Sequence, residues 1–412
     1  MELEKIGIVR PGIRTSGGHE RARFLFENLI QEITDEETDT LSLKPQEPLS
    51  GFGEKLNHKI WETTVEKGKE KLAQQSSQEN MKGGLLGLAG KVINKTINKG
   101  AEIVRSSDLF NRILLKNYLT RLAGSCCDSI VSSQYMAFPK NQDGTHLRGL
   151  YLPLDLAVHK PVGKIAQEYG DRFTVLAPTK LMTPNLISLG IKEGQIIETG
   201  FPFPEEMYTS INPRLEKQKQ IHEGNSQHHA LIMTGSLGPE KPQALQTAEE
   251  LLKQGIEVTI LCGDNREYYL DFREQLEEIK KHYPDARLHL VGGEEGTTRE
   301  DDLQNWADLI SNPELTLLLT RPNEMLFIGT SLGFQTLLFD PFQTHEEKAY
   351  KFFPNIENSN VNKIKHDEEG NLEIPEINTY QNYLSPDFWI KATPSEKLTK
   401  INNGQIIKAL NL

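Results

Sequence analysis

Short apolar runs alternate with longer amphipathic stretches along most of this chain. The run at residues 5–9 predicts a strand. A loop of small residues follows (Pro11, Gly12, Ser16, Gly17, Gly18), then a helical pattern over 19–33 with Phe24, Leu25, Leu29 and Ile30 on one face. The rhythm resumes at residue 129, with strand-like runs at 129–133, 147–154, 173–177 and 196–199. A polar stretch over 212–229, carrying Lys217, Gln218, Lys219, Gln220, Asn225, Ser226 and Gln227, reads as a boundary. Beyond it, strands at 230–234, 258–262, 288–291, 315–319 and 336–339 alternate with helices at 243–254, 268–282, 306–310 and onward from residue 324 to 332.

Strands alternating with helices predict parallel sheets covered on both faces. Two such series predict an α/β chain of two doubly wound, Rossmann-like domains facing a central cleft. The first spans 1–210, a linker occupies 211–228, the second spans 229–390, and a terminal helix over 391–412 is expected to return to the first domain. Ligands of open parallel sheets sit outside the carboxyl ends of the strands. That rule singles out the loops at 17–19, 155, 235–238 and 321–324.

Residues 50–122 break the rhythm and read as a helical insertion in the first domain. Within it Lys82, Lys91, Lys95, Lys99, Arg105, Arg112, Lys116 and Arg121 face only Glu102 and Asp108, over an apolar stripe that includes Leu85, Leu88, Val92, Ile93, Ile97, Ile103, Val104 and Phe110. A basic amphipathic stretch of this kind fits an anionic membrane or lipid surface; it equally fits a hairpin packed on its own domain with a solvated basic face. The whole chain carries a formal charge of −12, from 46 Lys and Arg against 58 Asp and Glu. That argues against general nucleic-acid binding, which needs clustered cations. Three cysteines (Cys126, Cys127, Cys262) without metal spacing point to a reducing compartment. The charged start of the chain lacks the apolar run of a signal peptide, and no run approaches the ~18 apolar residues of a membrane span. A cytoplasmic protein, peripheral on the inner face of the membrane if the basic stretch docks there, is the expectation.

Several side chains at these loops can carry chemistry. His19, at a helix start, is a candidate general base, or else a helix-start histidine bonded to the backbone. Asp155, with His159 four residues on, can orient or deprotonate a hydroxyl, or cap the following helix. Gly235, Ser236 and Gly238 follow a strand and precede a helix, which allows close approach to a diphosphate, as does any plain strand-to-helix turn. In Arg321-Pro322-Asn323-Glu324, Pro322 sets a turn, Asn323 is a good helix cap, and the new helix start can receive a phosphate. Glu324 can accept two hydrogen bonds from a ribose diol, or simply complement the helix dipole. His345 and Glu346 can meet sugar hydroxyls or open another helix. The pair His228 and His229 has no ligand partners at metal spacing.

On these residues the chain resembles the two-Rossmann-domain (GT-B) glycosyltransferases of the MurG and monogalactosyldiacylglycerol synthase type. Ser16-Gly17-Gly18-His19 matches the family's glycine loop and histidine. Leu154-Asp155 with His159 echoes its strand-end acid. The stretch Gly190-Ile191-Lys192 through Ile197-Glu198-Thr199-Gly200-Phe201-Pro202 is the best local match, and Thr234 to Gly238 echoes the second glycine loop. The family's Lys-Pro-Gly-Gly is here Arg321-Pro322-Asn323-Glu324, its later acid is Gly329, and its Gln-Glu donor pair is His345-Glu346, which marks a divergent branch.

The resemblance implies a nucleotide diphosphate sugar, UDP-linked in the family, bound by the second domain through Gly235, Ser236, Gly238, Arg321, Asn323, Glu324, His345 and Glu346, with Gly17 and Gly18 of the first domain as further binding positions. It implies His19 and Asp155 as catalytic residues and an acceptor hydroxyl, lipid-borne in many members. It implies inverting transfer without metal or other cofactor. Two other readings remain: a sugar-nucleotide 2-epimerase, which would cluster carboxylates and need no acceptor, and a degenerate nucleotide-sugar binder.

Overall fold

The computed structural model describes residues 6–8, 17–34, 129–133, 135, 138, 147–234, 240–262, 266–341, 344–355, 360–367 and 372–374. The expected insertion at 50–122 with its basic stretch, the 235–238 loop and the terminal helix at 391–412 lie outside these residues. The described chain divides into two compact units, with the break between Phe203 and Pro204.

Unit 1 is built on a fully parallel sheet of β1 (Ile6–Ile8), β2 (Ser129–Ser132), β3 (Arg148–Tyr151), β4 (Phe173–Ala177) and β5 (Ile196–Glu198), hydrogen-bonded in that order. Helix α1 (Gly17–Thr34) follows β1, and α2 (Pro161–Tyr169) and α3 (Thr183–Ser188) join the later strands. Leu25 and Leu29, of the apolar face read from the sequence, are buried on α1, as is Phe26, which that reading left out, while Phe24 is half-buried. Beneath β3 and β4 an aromatic knot forms: the Phe138 ring meets Phe173 edge-on at 5.3 Å, and Tyr151 and Tyr169 close around them. Gln195, which is buried, ties the unit internally by donating to the carbonyls of Ala166 (3.1 Å) and Gly170 (2.6 Å) at the end of α2. Gly200, in the motif Thr-Gly-Phe-Pro, has φ of 70°, a left-handed conformation that only glycine adopts without strain.

Unit 2 carries a six-stranded parallel sheet: β6 (His229–Met233), β7 (Glu257–Leu261), β8 (Leu288–Val291), β9 (Leu317–Thr320), β10 (Gln335–Leu338) and β11 (Val361–Lys363). Its spatial order is β8-β7-β6-β9-β10-β11. Counted from the strand that opens the unit this is 3-2-1-4-5-6, the order of a doubly wound nucleotide-binding sheet. Helices α4 (Glu205–Thr209) and α5 (Ile211–His222) lead into it. The remaining helices are α6 (Lys241–Lys253), α7 (Arg266–His282), α8 (Arg299–Ser311), α9 (Glu324–Ser331) and α10 (Thr344–Phe352). Ala244, Ala248 and Leu251 of α6 and Phe272 and Leu276 of α7 pack on one sheet face with Ala230, Ile232, Val258, Ile260, Leu317 and Leu337. Helix α9 lies against the other face so closely that a Cβ on Gly329 would come 2.3 Å from the Leu318 side chain.

The stretch expected as a linker differs from that reading. Its polarity is that of α5, whose Arg214 and Gln218 are buried in unit 2. The Arg214 guanidinium donates to the carbonyls of Ile310 (2.6 Å), Asn312 (2.9 Å), Leu315 (2.8 Å) and Leu332 (2.6 Å) and lies 3.9 Å over the Phe334 ring. Asn312 and Leu332 are the residues that end α8 and α9. One buried cation thus satisfies the terminal carbonyls of two helices, where the macrodipoles favour positive charge. A charged, glutamine-rich segment reads as solvated in sequence; here the hydrogen bonds of its cation go to backbone carbonyl oxygens.

Candidate functional site

In unit 1 the expected residues gather at the carboxyl edge of β1, β2 and β3. Register pairs Ile8 with Val131 and Val131 with Leu150, so the loops after these strands start side by side. Helix α1 begins at Gly17, two residues earlier than the pattern predicts, and places Gly18 and His19 in its first turn. His19 Nδ1 lies 2.7 Å from the hydroxyl of Ser133, the residue that follows β2. Two residues on, the Tyr135 ring stands 5.4 Å from that of His159, centroid to centroid. Asp155 is half-buried after β3. The loop that carries it is anchored where the Val158 N–H donates to Asn185 Oδ1 at 3.2 Å. Burial pushes the Tyr135 phenol up to about 12. Tyr151 is pushed higher still, first by burial and then by the charge of Asp155. Both phenols stay protonated at neutral pH.

In unit 2 the sheet order changes direction between β6 and β9, and the carboxyl edge at that point is the crevice where such sheets bind ligands. β6 runs out to Thr234, whose hydroxyl and N–H both bond the Leu261 carbonyl (3.0 and 3.2 Å). The chain after β9 turns through Arg321 and Pro322. Asn323 then caps α9, its side chain accepting from the Met325 N–H at 3.1 Å. Glu324 is the first residue of α9 and is 6% exposed.

Arg321 is the centre of this edge. Its Nη2 lies 2.9 Å from Glu346 Oε1 and its Nη1 3.9 Å from Glu240 Oε2. Both carboxylates are buried, Glu346 completely. Glu240 stands at the N-cap of α6 and Glu346 in the first turn of α10, so three helix starts each bring a glutamate to this edge: Glu240, Glu324 and Glu346. Helix starts favour carboxylates, and the guanidinium offsets part of the desolvation cost of burying them. Glu240 and Asp340 are the site residues that sequence reasoning misses. Asp340, just past β10, accepts from Gln243 of α6 (2.9 Å) and from the Tyr350 hydroxyl of α10 (2.8 Å). A signal for Asp340 is present in the sequence, since it ends the apolar run Leu337-Leu338-Phe339. His345 lies on α10, beside Glu346 in sequence. Gly235, Ser236 and Gly238 are outside the described residues.

The chain is similar in structure to a UDP-GlcNAc 2-epimerase from Neisseria meningitidis bound to UDP-GlcNAc, with 14% identity over 98% of this chain and 99% of that one and a TM-score of 0.44. HepE from Anabaena, in complex with UDP and glucose, gives 12% identity over 99% of each chain and a TM-score of 0.40. A UDP-GlcNAc 2-epimerase from Methanocaldococcus jannaschii gives 10% identity over 98% of this chain and 99% of that one, at 0.41. No protein-family model matches the chain, and no curated protein sequence matches it.

The amino edge of unit 2 holds the histidine pair. His228 Nδ1 lies 3.0 Å from the Thr316 hydroxyl, and burial lowers its imidazole to about 4. His229 lies 2.9 Å from the Thr259 hydroxyl and is lowered too, mainly by burial. Cys262 is buried, its thiol pushed up to about 12 by burial, and so inert as a nucleophile. Among the described residues no group of three or more His, Cys, Asp or Glu is placed to hold a metal ion, and no helix is long and apolar enough to cross a membrane.

Proposed function

We propose that this chain is an enzyme acting on a nucleoside diphosphate sugar, with the nucleotide held at the carboxyl edge of β6 and β9 in unit 2. The observation that supports it is the 3-2-1-4-5-6 sheet whose reversal point carries the Asn323-capped start of α9 with Glu324 as its first residue. In this reading Glu324 accepts from both hydroxyls of the ribose. The helix start and the backbone N–H groups around it face the diphosphate. Thr234 and Arg321 flank the same edge. In unit 1, His19 and Asp155 are the proposed proton-transfer groups.

Of the two reaction classes open to such a site, we favour isomerisation of the sugar nucleotide, a 2-epimerase, over transfer to an acceptor. Clustered carboxylates are the feature by which the sequence analysis sets a 2-epimerase apart from a transferase, and Glu240, Glu324 and Glu346 gather at this edge. At the same edge Arg321 sits between two buried carboxylates. A lipid acceptor, argued in sequence from the basic stretch between Lys82 and Arg121, has no role in this reading.

The test is incubation of the full chain with UDP-N-acetylglucosamine in D2O, without acceptor, followed by proton NMR. The expected result is loss of the sugar H2 signal and appearance of the C2 epimer. An unchanged sugar nucleotide that is consumed only when an acceptor alcohol is added would replace isomerisation with transfer.

A further inference from the structure

Helix α5 carries Arg214 and Gln218 one turn apart on one face. Each side chain spans the same two segments. Arg214 donates to the carbonyl of Leu315 (2.8 Å), just before β9, and to that of Leu332 (2.6 Å), which ends α9. Gln218 Nε2 repeats the pattern one residue further along, with Thr316 (3.3 Å) and Gly333 (2.8 Å). The chain climbs β9, turns at Arg321 to Asn323 and returns down α9. Its two ends, 315–316 and 332–333, therefore meet at the amino edge of the sheet, where Gln335 donates its N–H to the Thr316 carbonyl. The turn lies at the carboxyl edge, ~13 Å away for a four-residue strand at ~3.3 Å per residue. Helix α5 thus clamps this strand–helix unit at the end opposite the proposed nucleotide site.

The clamp fixes α9 lengthwise. Met325, Leu326, Phe327 and Ile328 are buried, but apolar burial is non-directional. Where α9 crosses β9, Gly329 has no side chain to lock against Leu318. The hydrogen bonds from α5 are directional and short-ranged, and they hold the far end of α9. The same helix presses on that end: a Cβ on Gly333, whose φ is 79°, would come 3.4 Å from Leu215. A slip of α9 by one residue's rise, ~1.5 Å, would carry Glu324 out of hydrogen-bond range of a ribose held at the carboxyl edge. We propose that Arg214 and Gln218 are positioning residues for the nucleotide site, acting through α9 to place Glu324. The proposal rests on the reading that Glu324 meets the ribose.

The test titrates UDP and its 2′,3′-dideoxy analogue into the full chain and into Gln218→Met, which nearly keeps the side-chain volume and removes both hydrogen bonds. UDP is expected to bind the variant roughly tenfold more weakly, within the ~5–150-fold usual for coupling between sites. Its advantage over the dideoxy nucleotide should shrink by a similar factor. Leu276→Ala, in the core under α7, controls for lost stability and is expected to keep both affinities. Amide hydrogen exchange of the unmodified chain needs no variant. Coupling is reciprocal, so UDP should slow exchange in α5 more than in α7, which a purely structural role for the clamp would not produce. Unchanged UDP affinity and ribose discrimination in a folded Gln218→Met chain overturn the proposal, as does an equal loss in Leu276→Ala. If Gln218→Met does not fold, an α5 that responds to UDP no more than α7 overturns it. Dideoxy nucleotide bound by the unmodified chain as tightly as UDP overturns instead the reading of Glu324 on which the proposal rests.

Discussion

The carboxyl edges of the two sheets are built alike and furnished differently. Both follow parallel strands, and both bring a helix start against a residue from a neighbouring loop. In unit 1 the paired groups are two imidazoles, a hydroxyl and a phenol, joined through His19 and Ser133 and through Tyr135 and His159, with Asp155 on the same edge. In unit 2 they are ions: Arg321 with the buried Glu240 and Glu346. Fold alone supplies the position and the helix dipole. Residue type decides whether that position carries groups that both donate and accept hydrogen bonds or a cluster of charges. Ions at a buried edge should be costly to unpair, and neutral partners cheap to lose.

The largest expected effect follows directly. Arg321→Met removes the cation beside two buried carboxylates and should lower the unfolding free energy by about 3–5 kcal/mol. The neutral counterpart, Ser133→Ala in unit 1, should cost only about 1 kcal/mol. Urea unfolding of the two variants beside the unmodified chain checks this, and equal losses would break the comparison.

A second effect concerns pH at the opposite edge of unit 2. The His228 imidazole is lowered by burial to about 4 in the folded chain, against about 6.5 when unfolded. Stability is therefore whole above pH 6.5. It falls as the unfolded chain takes up a proton that the folded one refuses, by up to about 3 kcal/mol at pH 4. Carboxylates titrate in the same range, so the quantity to measure is the difference in melting between the unmodified chain and His228→Gln across pH 4–7. The variant should lose less on acidification.

The smallest pair of effects compares close packing in the two units. A Cβ on Gly163 in α2 would come 2.0 Å from the Leu189 carbonyl oxygen, which is backbone. On Gly329 in α9 it would meet a Leu318 methyl, which can rotate away. Gly163→Ala should therefore cost about 2–3 kcal/mol and Gly329→Ala about 1 kcal/mol, both within the range for overpacking. Thermal melts of the two single variants would show it.

Much of this architecture is legible in the sequence. The strands at 173–177 and 288–291 match the apolar runs residue for residue, and the others shift by one to three residues at their ends. Parallel strands buried on both faces write themselves as continuous Val, Ile and Leu, which is why they stand out. Helix α5 does not, because its burial depends on Arg214 meeting carbonyls about a hundred residues away. Helices α2, α3 and α10 are short and mixed in composition, and periodicity over nine residues or fewer is a weak signal. The candidate site divides in the same way. His19, Asp155, Asn323 and Glu324 follow from their places beside predicted strands. Glu240 does not, since nothing in a local window shows that it faces Arg321. Pairings made only by the tertiary fold leave no local trace in sequence.

The central claim is that the start of α9 is a nucleotide site read through Glu324. Calorimetric titration with UDP tests it most directly, comparing the unmodified chain with Glu324→Gln and repeating both with the 2′,3′-dideoxy nucleotide. Loss of two charge-assisted hydrogen bonds to the ribose should weaken UDP roughly a hundredfold in the variant, while the dideoxy nucleotide should bind the two proteins equally. UDP binding of the same strength to both would contradict the account.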